Sequence, residues 1–140
     1  MHEPTTARSE KDTAGLEVAL ELVTRAPRVG GEIKLRMTVH NPTQARRSFC
    51  TYHTPFEGLL NDIFSVSASK GDVPYHGPMV KRAPPGPKDY IQLAPGESRQ
   101  ATVDLAEGYE IPSGGFAVSY RGSQISGLPF SGPVSLSVKP

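Results

Sequence analysis

Apolar side chains recur at every second position along this chain, in short runs that glycine or proline then interrupts. Leu16, Val18, Leu20 and Leu22 alternate with Glu17, Ala19, Glu21 and Val23, and Ile33, Leu35, Met37 and Val39 alternate with Glu32, Lys34, Arg36 and Thr38. A period of two puts neighbouring side chains on opposite faces of an extended backbone, so each run has one face to bury. Residues 26–31 read as a turn. Asn41-Pro42 ends the second run, because proline offers no N–H to a ladder and drives the residue before it away from the helical region. Phe49 to His53 predicts a third strand leading into Thr54-Pro55, and Phe64, Val66 and Ala68 a fourth that closes at Lys70-Gly71-Asp72. Val73 to Tyr75 reads as a short return with Pro74 marking an edge. Tyr90 to Leu93, Ala101 to Leu105, Phe116 to Tyr120 and Val134 to Val138 supply the rest, while Leu59 to Phe64 has room for one helical turn at most.

Fourteen Gly and fourteen Pro in 140 residues suit short strands joined by tight turns better than packed helices. The pattern predicts one all-β domain over residues 15–140, an immunoglobulin-like antiparallel β-sandwich of about seven strands, behind a flexible charged leader at residues 1–14. Tyr109, just ahead of the strand that opens at Gly115, is placed for the corner hydrogen bond such sandwiches use.

Charge and cysteine content exclude several function classes. A net charge of +1 with interspersed signs gives no global field for nucleic acid or an anionic membrane. The single cysteine, Cys50, excludes an intrachain disulfide and a Cys-rich zinc site. No apolar run approaches the roughly 18 residues of a membrane span, and the polar start shows no signal-peptide core.

The stretch 51–93 is the least generic. Thr-Pro, Glu-Gly, Lys-Gly-Asp and Ala-Pro-Pro-Gly-Pro fix its backbone at short intervals around scattered aromatic residues. Residues 82–88, with Pro84, Pro85 and Pro87, read as an extended surface loop. His53, Glu57, Asp72 and His76 could meet at a metal, and Met79 beside His76 suggests copper. No pair has a diagnostic ligand spacing, so no metal or cofactor is assigned, and a small metal-binding protein using His53 and His76 stays an alternative. Cys50 could act as a nucleophile beside His53, but a small apolar side chain facing the core is the favoured reading. Glu57 can pair with Lys81 or Arg82 and hold two loops together, or these charges can face a partner, with Tyr75 and Tyr90 as aromatic anchors.

Several of these motifs occur together in one known setting. Tyr52-His53-Thr54-Pro55-Phe56-Glu57-Gly58, Asp62-Ile63-Phe64, Val73-Pro74-Tyr75-His76-Gly77, Lys81-Arg82-Ala83-Pro84-Pro85, Asp89-Tyr90, residues 94–98, Val103-Asp104-Leu105 with Tyr109, and the upstream residues 39–43 follow in order. The set resembles the non-catalytic β-sandwich domain that precedes the protease domain in deuterolysin-type (aspzincin) metallopeptidases, and it covers residues 16 to 138. Phe56 stands where leucine is usual, and Tyr52 where tryptophan is common. The His-Glu-x-x-His pair that would put two imidazoles on one helical face toward zinc is missing, as is the Gly-Thr-x-x-Asp segment. The resemblance therefore implies the accessory or pro-domain and not the enzyme. It implies a secreted or periplasmic, non-catalytic module that binds a protein, with a zinc metallopeptidase as the expected partner, to assist its folding or inhibit it. The expected contact residues are Thr54, Phe56, Glu57, Tyr75, Lys81, Arg82, Pro85 and Tyr90. A stand-alone inhibitor of unrelated proteases and a surface adhesion module are the alternatives, since a sandwich alone does not choose.

Overall fold

Each alternating run forms a strand. A computed structural model describes residues 11–140, and among them all regular structure is β-strand apart from three single turns of 3-10 helix. The strands are β1 (Glu17–Leu22), β2 (Lys34–His40), β3 (Arg47–Cys50), β4 (Phe64–Ala68), β5 (Gly71–Asp72), β6 (Tyr90–Leu93), β7 (Ser98–Asp104), β8 (Gly114–Tyr120) and β9 (Ser131–Val138). They pair antiparallel in three sheets ordered β1-β2-β7, β5-β4-β8-β9 and β3-β6. The two larger sheets make a sandwich whose core is filled from both inner faces. Leu35, Met37, Val39 and Val103 come from one, and Phe64, Val66, Val118, Tyr120, Leu136 and Val138 from the other, all buried in one continuous cluster. Burying each such side chain contributes about 1.5–3 kcal/mol. The Ser131 hydroxyl donates to the Val18 carbonyl at 2.8 Å, and Arg28 bridges Lys139, so β9 and its approach are fastened to the edge of the β1 sheet.

Four details differ from the sequence reading. There are nine strands among the described residues, not about seven, because β5 is only the return arm of a hairpin and β3 with β6 forms a separate pair. The third strand stops at Cys50 and does not reach His53, whose φ of 60° is left-handed and cannot continue a ladder. The helical turn sits at Pro55–Glu57 and not within residues 59–64. Residues 1–10 of the expected leader lie outside the described residues. At its other end, Asp12 exchanges both backbone hydrogen bonds with Ser48 (2.9 and 3.0 Å), and its carboxylate meets Arg47 at 3.1 Å, so the chain is held on β3 from residue 12 onward.

Tyr109 makes its corner bond over a long reach. Its hydroxyl accepts from the Phe64 N–H at 3.2 Å and lies 2.7 Å from Asp62 Oδ1 and 3.0 Å from the Phe64 carbonyl, either of which can take its proton. The partners are 45 residues upstream, so the bond ties the corner to the start of β4. Burial, reinforced by the Asp62 carboxylate, pushes the phenol far above its ordinary pKa. Tyr75 packs against this ring at 5.2 Å, tilted 58°, and forms an isolated β-bridge to Tyr109, which carries the chain after β5 onto the same corner.

Candidate functional site: a groove between two fastened loops

The motif Thr-Pro-Phe-Glu-Gly closes on itself after β3. Thr54 Oγ1 donates to the Thr51 carbonyl at 2.6 Å and accepts from the Phe56 N–H at 3.1 Å, capping the 3-10 turn that Pro55 opens. Phe56 lies edge-on against the buried Phe49 ring, 5.2 Å away. Glu57 reaches back past the cap so that its Oε2 accepts from the His53 N–H at 2.9 Å, tying the residue before the cap to the end of the turn. Gly58 then leaves the turn at φ 87°, a conformation that costs a residue with Cβ.

A second loop is bound to this one. Glu57 Oε1 accepts from the Arg82 guanidinium at 2.9 Å, so both carboxylate oxygens are used. The Glu57 side chain is 7% exposed and that of Arg82 33%, so the pair is partly desolvated and breaking it from the Arg82 side strands a nearly buried carboxylate. Arg82 also lies over the Tyr52 ring, 4.8 Å from its centroid. The Tyr52 hydroxyl is 3.3 Å from the Ala83 carbonyl and 3.2 Å from Asp89 Oδ2, and it donates to one of them. Asp89 closes the proline loop by accepting from the Gly86 N–H at 2.9 Å, and its own carbonyl accepts from the Thr51 N–H at 2.8 Å. The Val80 N–H donates to the Leu60 carbonyl at 3.1 Å and pins the start of the loop.

Between the loops lies a groove of about 440 Å³ lined by Tyr52, His53, Glu57, Asn61, residues 80–85 and Ile125. His53 is held there in its left-handed conformation from three sides. Its N–H meets Glu57, its carbonyl accepts from the Tyr120 hydroxyl at 2.7 Å, and its ring Nδ1 lies 3.4 Å from Ser123 Oγ. Backbone strain of this kind persists only where the surroundings over-determine it. Burial raises the pKa of Tyr120, pushed up to about 12, so its hydroxyl stays a donor across the ordinary pH range.

The expected contact residues divide into two sets. Glu57, Lys81, Arg82 and Pro85 line the groove. The other four do not, and the physical reasons differ. Thr54 is fully buried, its hydroxyl consumed by the cap, so it is a structural residue and not a surface one. Phe56 packs inward on Phe49. Tyr75 packs against Tyr109 and donates to the Pro78 carbonyl, which places it on the corner. Tyr90 sits half-buried in β6 opposite Cys50. Conversely, Tyr52, His53, Asn61, Val80 and Ile125 line the groove without having been expected there. For Val80 the available signal was a large apolar residue next to Met79 in a loop otherwise rich in proline and charge. Met79, Val80 and Ile125 are 73%, 37% and 43% exposed, and each stands in a segment otherwise built for solvent.

Cys50 is wholly buried, and burial raises its thiol pKa against a smaller opposing effect of the Tyr52 backbone. That environment suits a small apolar core side chain and disfavours the thiolate a nucleophile needs. Among the described residues no group of three His, Cys, Asp or Glu side chains is arranged to hold a metal ion, and no helix is long and apolar enough to cross a membrane.

No protein-family model matches the chain, and no curated protein matches it. Nine chains of solved structures do match. Among them is the β-D-glucoside glucohydrolase from Trichoderma reesei, to which this chain is similar at 15% identity and a TM-score of 0.40, covering 88% of this chain and 18% of that one. At that level of likeness the enzyme's activity has no bearing on this chain.

Proposed function

We propose that this chain is an immunoglobulin-like, non-catalytic protein-binding module akin to the accessory or pro-domain of an aspzincin metallopeptidase, acting on such a protease by assisting its folding or restraining its activity. One observation carries the reading. The loops that bear the resemblance are locked to each other by Glu57, Arg82, Tyr52 and Asp89, and together they present a preformed groove with exposed apolar residues beside it. A surface ordered before it meets a partner loses less conformational entropy on binding, which is how a small contact reaches useful affinity. The sheet orders β1-β2-β7 and β5-β4-β8-β9, with Tyr109 at the corner, support the immunoglobulin-like part. The secreted or periplasmic setting belongs to the same proposal.

The test is an inhibition assay. Purified protein titrated into an aspzincin peptidase is expected to slow peptide hydrolysis at micromolar concentration, while proteases of other catalytic classes stay unaffected. Absence of any complex with the peptidase at that concentration overturns the reading, and equal inhibition of unrelated proteases replaces it with a general inhibitor.

A further inference from the structure

The groove has an unequal charge inventory. Glu57 is the one carboxylate in its lining, and both of its oxygens are already engaged, by Arg82 and by the His53 N–H. Lys81 has no acidic partner among the described residues, so an uncompensated positive charge stands on the lip. Beside it, Val80 and Ile125 are exposed apolar residues that both line the groove. The backbone adds direction. The N–H groups of Lys81, Arg82 and Ala83 donate to no acceptor among the described residues, and Pro84 and Pro85 keep the strip from pairing further within the chain. Free main-chain donors beside a groove are what an incoming peptide can use, with main-chain bonds for affinity and side-chain pockets for choice.

We propose that the groove receives an extended acidic segment of the partner protein, seating an apolar side chain against Val80 and Ile125 and setting a carboxylate against Lys81. This rests on the protein-binding reading and gives the partner its chemistry. The Glu57–Arg82 pair serves here as a strut, and because Arg82 balances the Glu57 charge the pair repels an incoming carboxylate far less than an unpaired Glu57 would. His53, fixed by three bonds, forms an immobile wall, and the Asn61 amide offers a further polar contact on the lining.

Fluorescence-polarisation titration distinguishes the possibilities. The probes are a labelled peptide of about eight residues alternating leucine with glutamate, and the same peptide with lysine in place of glutamate. The acidic peptide is expected to bind at least about tenfold tighter than the basic one, a difference of about 1.4 kcal/mol. Lys81→Glu is expected to abolish or invert that preference, and Ile125→Asp to weaken the acidic peptide by about tenfold or more. Both substitutions are at exposed positions, and an unchanged circular-dichroism melt verifies the fold. Equal affinity for both peptides, no binding of the acidic peptide at millimolar concentration, or indifference to Ile125→Asp overturns the proposal. The same variants tested on the peptidase separate the two levels: a complex that forms with wild type and is untouched by Lys81→Glu and Ile125→Asp keeps the binding module and discards this groove.

Discussion

Asn41→Ala is expected to destabilise the protein by about 3 kcal/mol, more than any loop substitution outside the core. Asn41 is fully buried, and all four bonds its amide makes are internal. Nδ2 donates to the Ala45 carbonyl at 2.9 Å and the Leu93 carbonyl at 3.0 Å, while Oδ1 accepts from the Thr43 N–H at 3.0 Å and the Thr43 hydroxyl at 2.7 Å. Its backbone accepts from Gly96 at 2.7 Å and donates to Glu97 at 2.9 Å. One side chain therefore joins the end of β2, the turn at 43–45 and the end of β6. Alanine leaves the Leu93 carbonyl buried without that donor, and burial denies it water as a substitute. Asn41→Asp does not rescue, since it keeps the acceptor but loses both donors and introduces a buried charge. Urea unfolding followed by tyrosine fluorescence should show the midpoint falling by about 2 M. A fall below about 0.3 M would mean that the network contributes little.

Glu57→Ala is the second large effect, about 2–3 kcal/mol, and it differs in kind. Removing the carboxylate strips the His53 N–H of its acceptor at a left-handed position and frees Arg82 from its anchor. Arg82 is one-third exposed and can rehydrate, so the cost stays below that of orphaning a fully buried charge. The reverse change, Arg82→Ala, leaves the nearly buried Glu57 carboxylate without its cation and should cost about 2 kcal/mol despite the position's greater exposure. Both should raise amide exchange at Val80 and Gly86, the hydrogen-bonded N–H groups at the two ends of the second loop, while leaving β2, β4 and β8 protected, since local loosening need not reach the core. Uniform loss of protection across all strands would show that the pair holds up the whole sandwich and is not a loop fastener.

What the sequence made legible is what its local chemistry determines. The alternation of Ile33, Leu35, Met37 and Val39 placed all four inside, and each is at most 3% exposed. The Thr-Pro-Phe-Glu-Gly motif announced a fixed turn, but a cap looks the same in sequence whether its hydroxyl faces a partner or its own backbone. Thr54 does the latter. Glu57 could have chosen Lys81 or Arg82, two neighbours along the chain that the backbone presents differently, and the fold selected Arg82. Ile125 could not be anticipated at all as a groove residue. It comes to residues 80–85 only because β8 delivers the loop after it beside His53, through Tyr120 and Ser123. Non-local pairings of this type have no period and no spacing to read.

The most direct measurement of the central claim is amide hydrogen exchange on the protein alone and in mixture with an aspzincin peptidase. The account predicts new protection concentrated in residues 53–58, 80–85 and the Ile125 loop, with the β1-β2-β7 sheet unchanged. Protection elsewhere on the sandwich, or none at saturating peptidase, would contradict it.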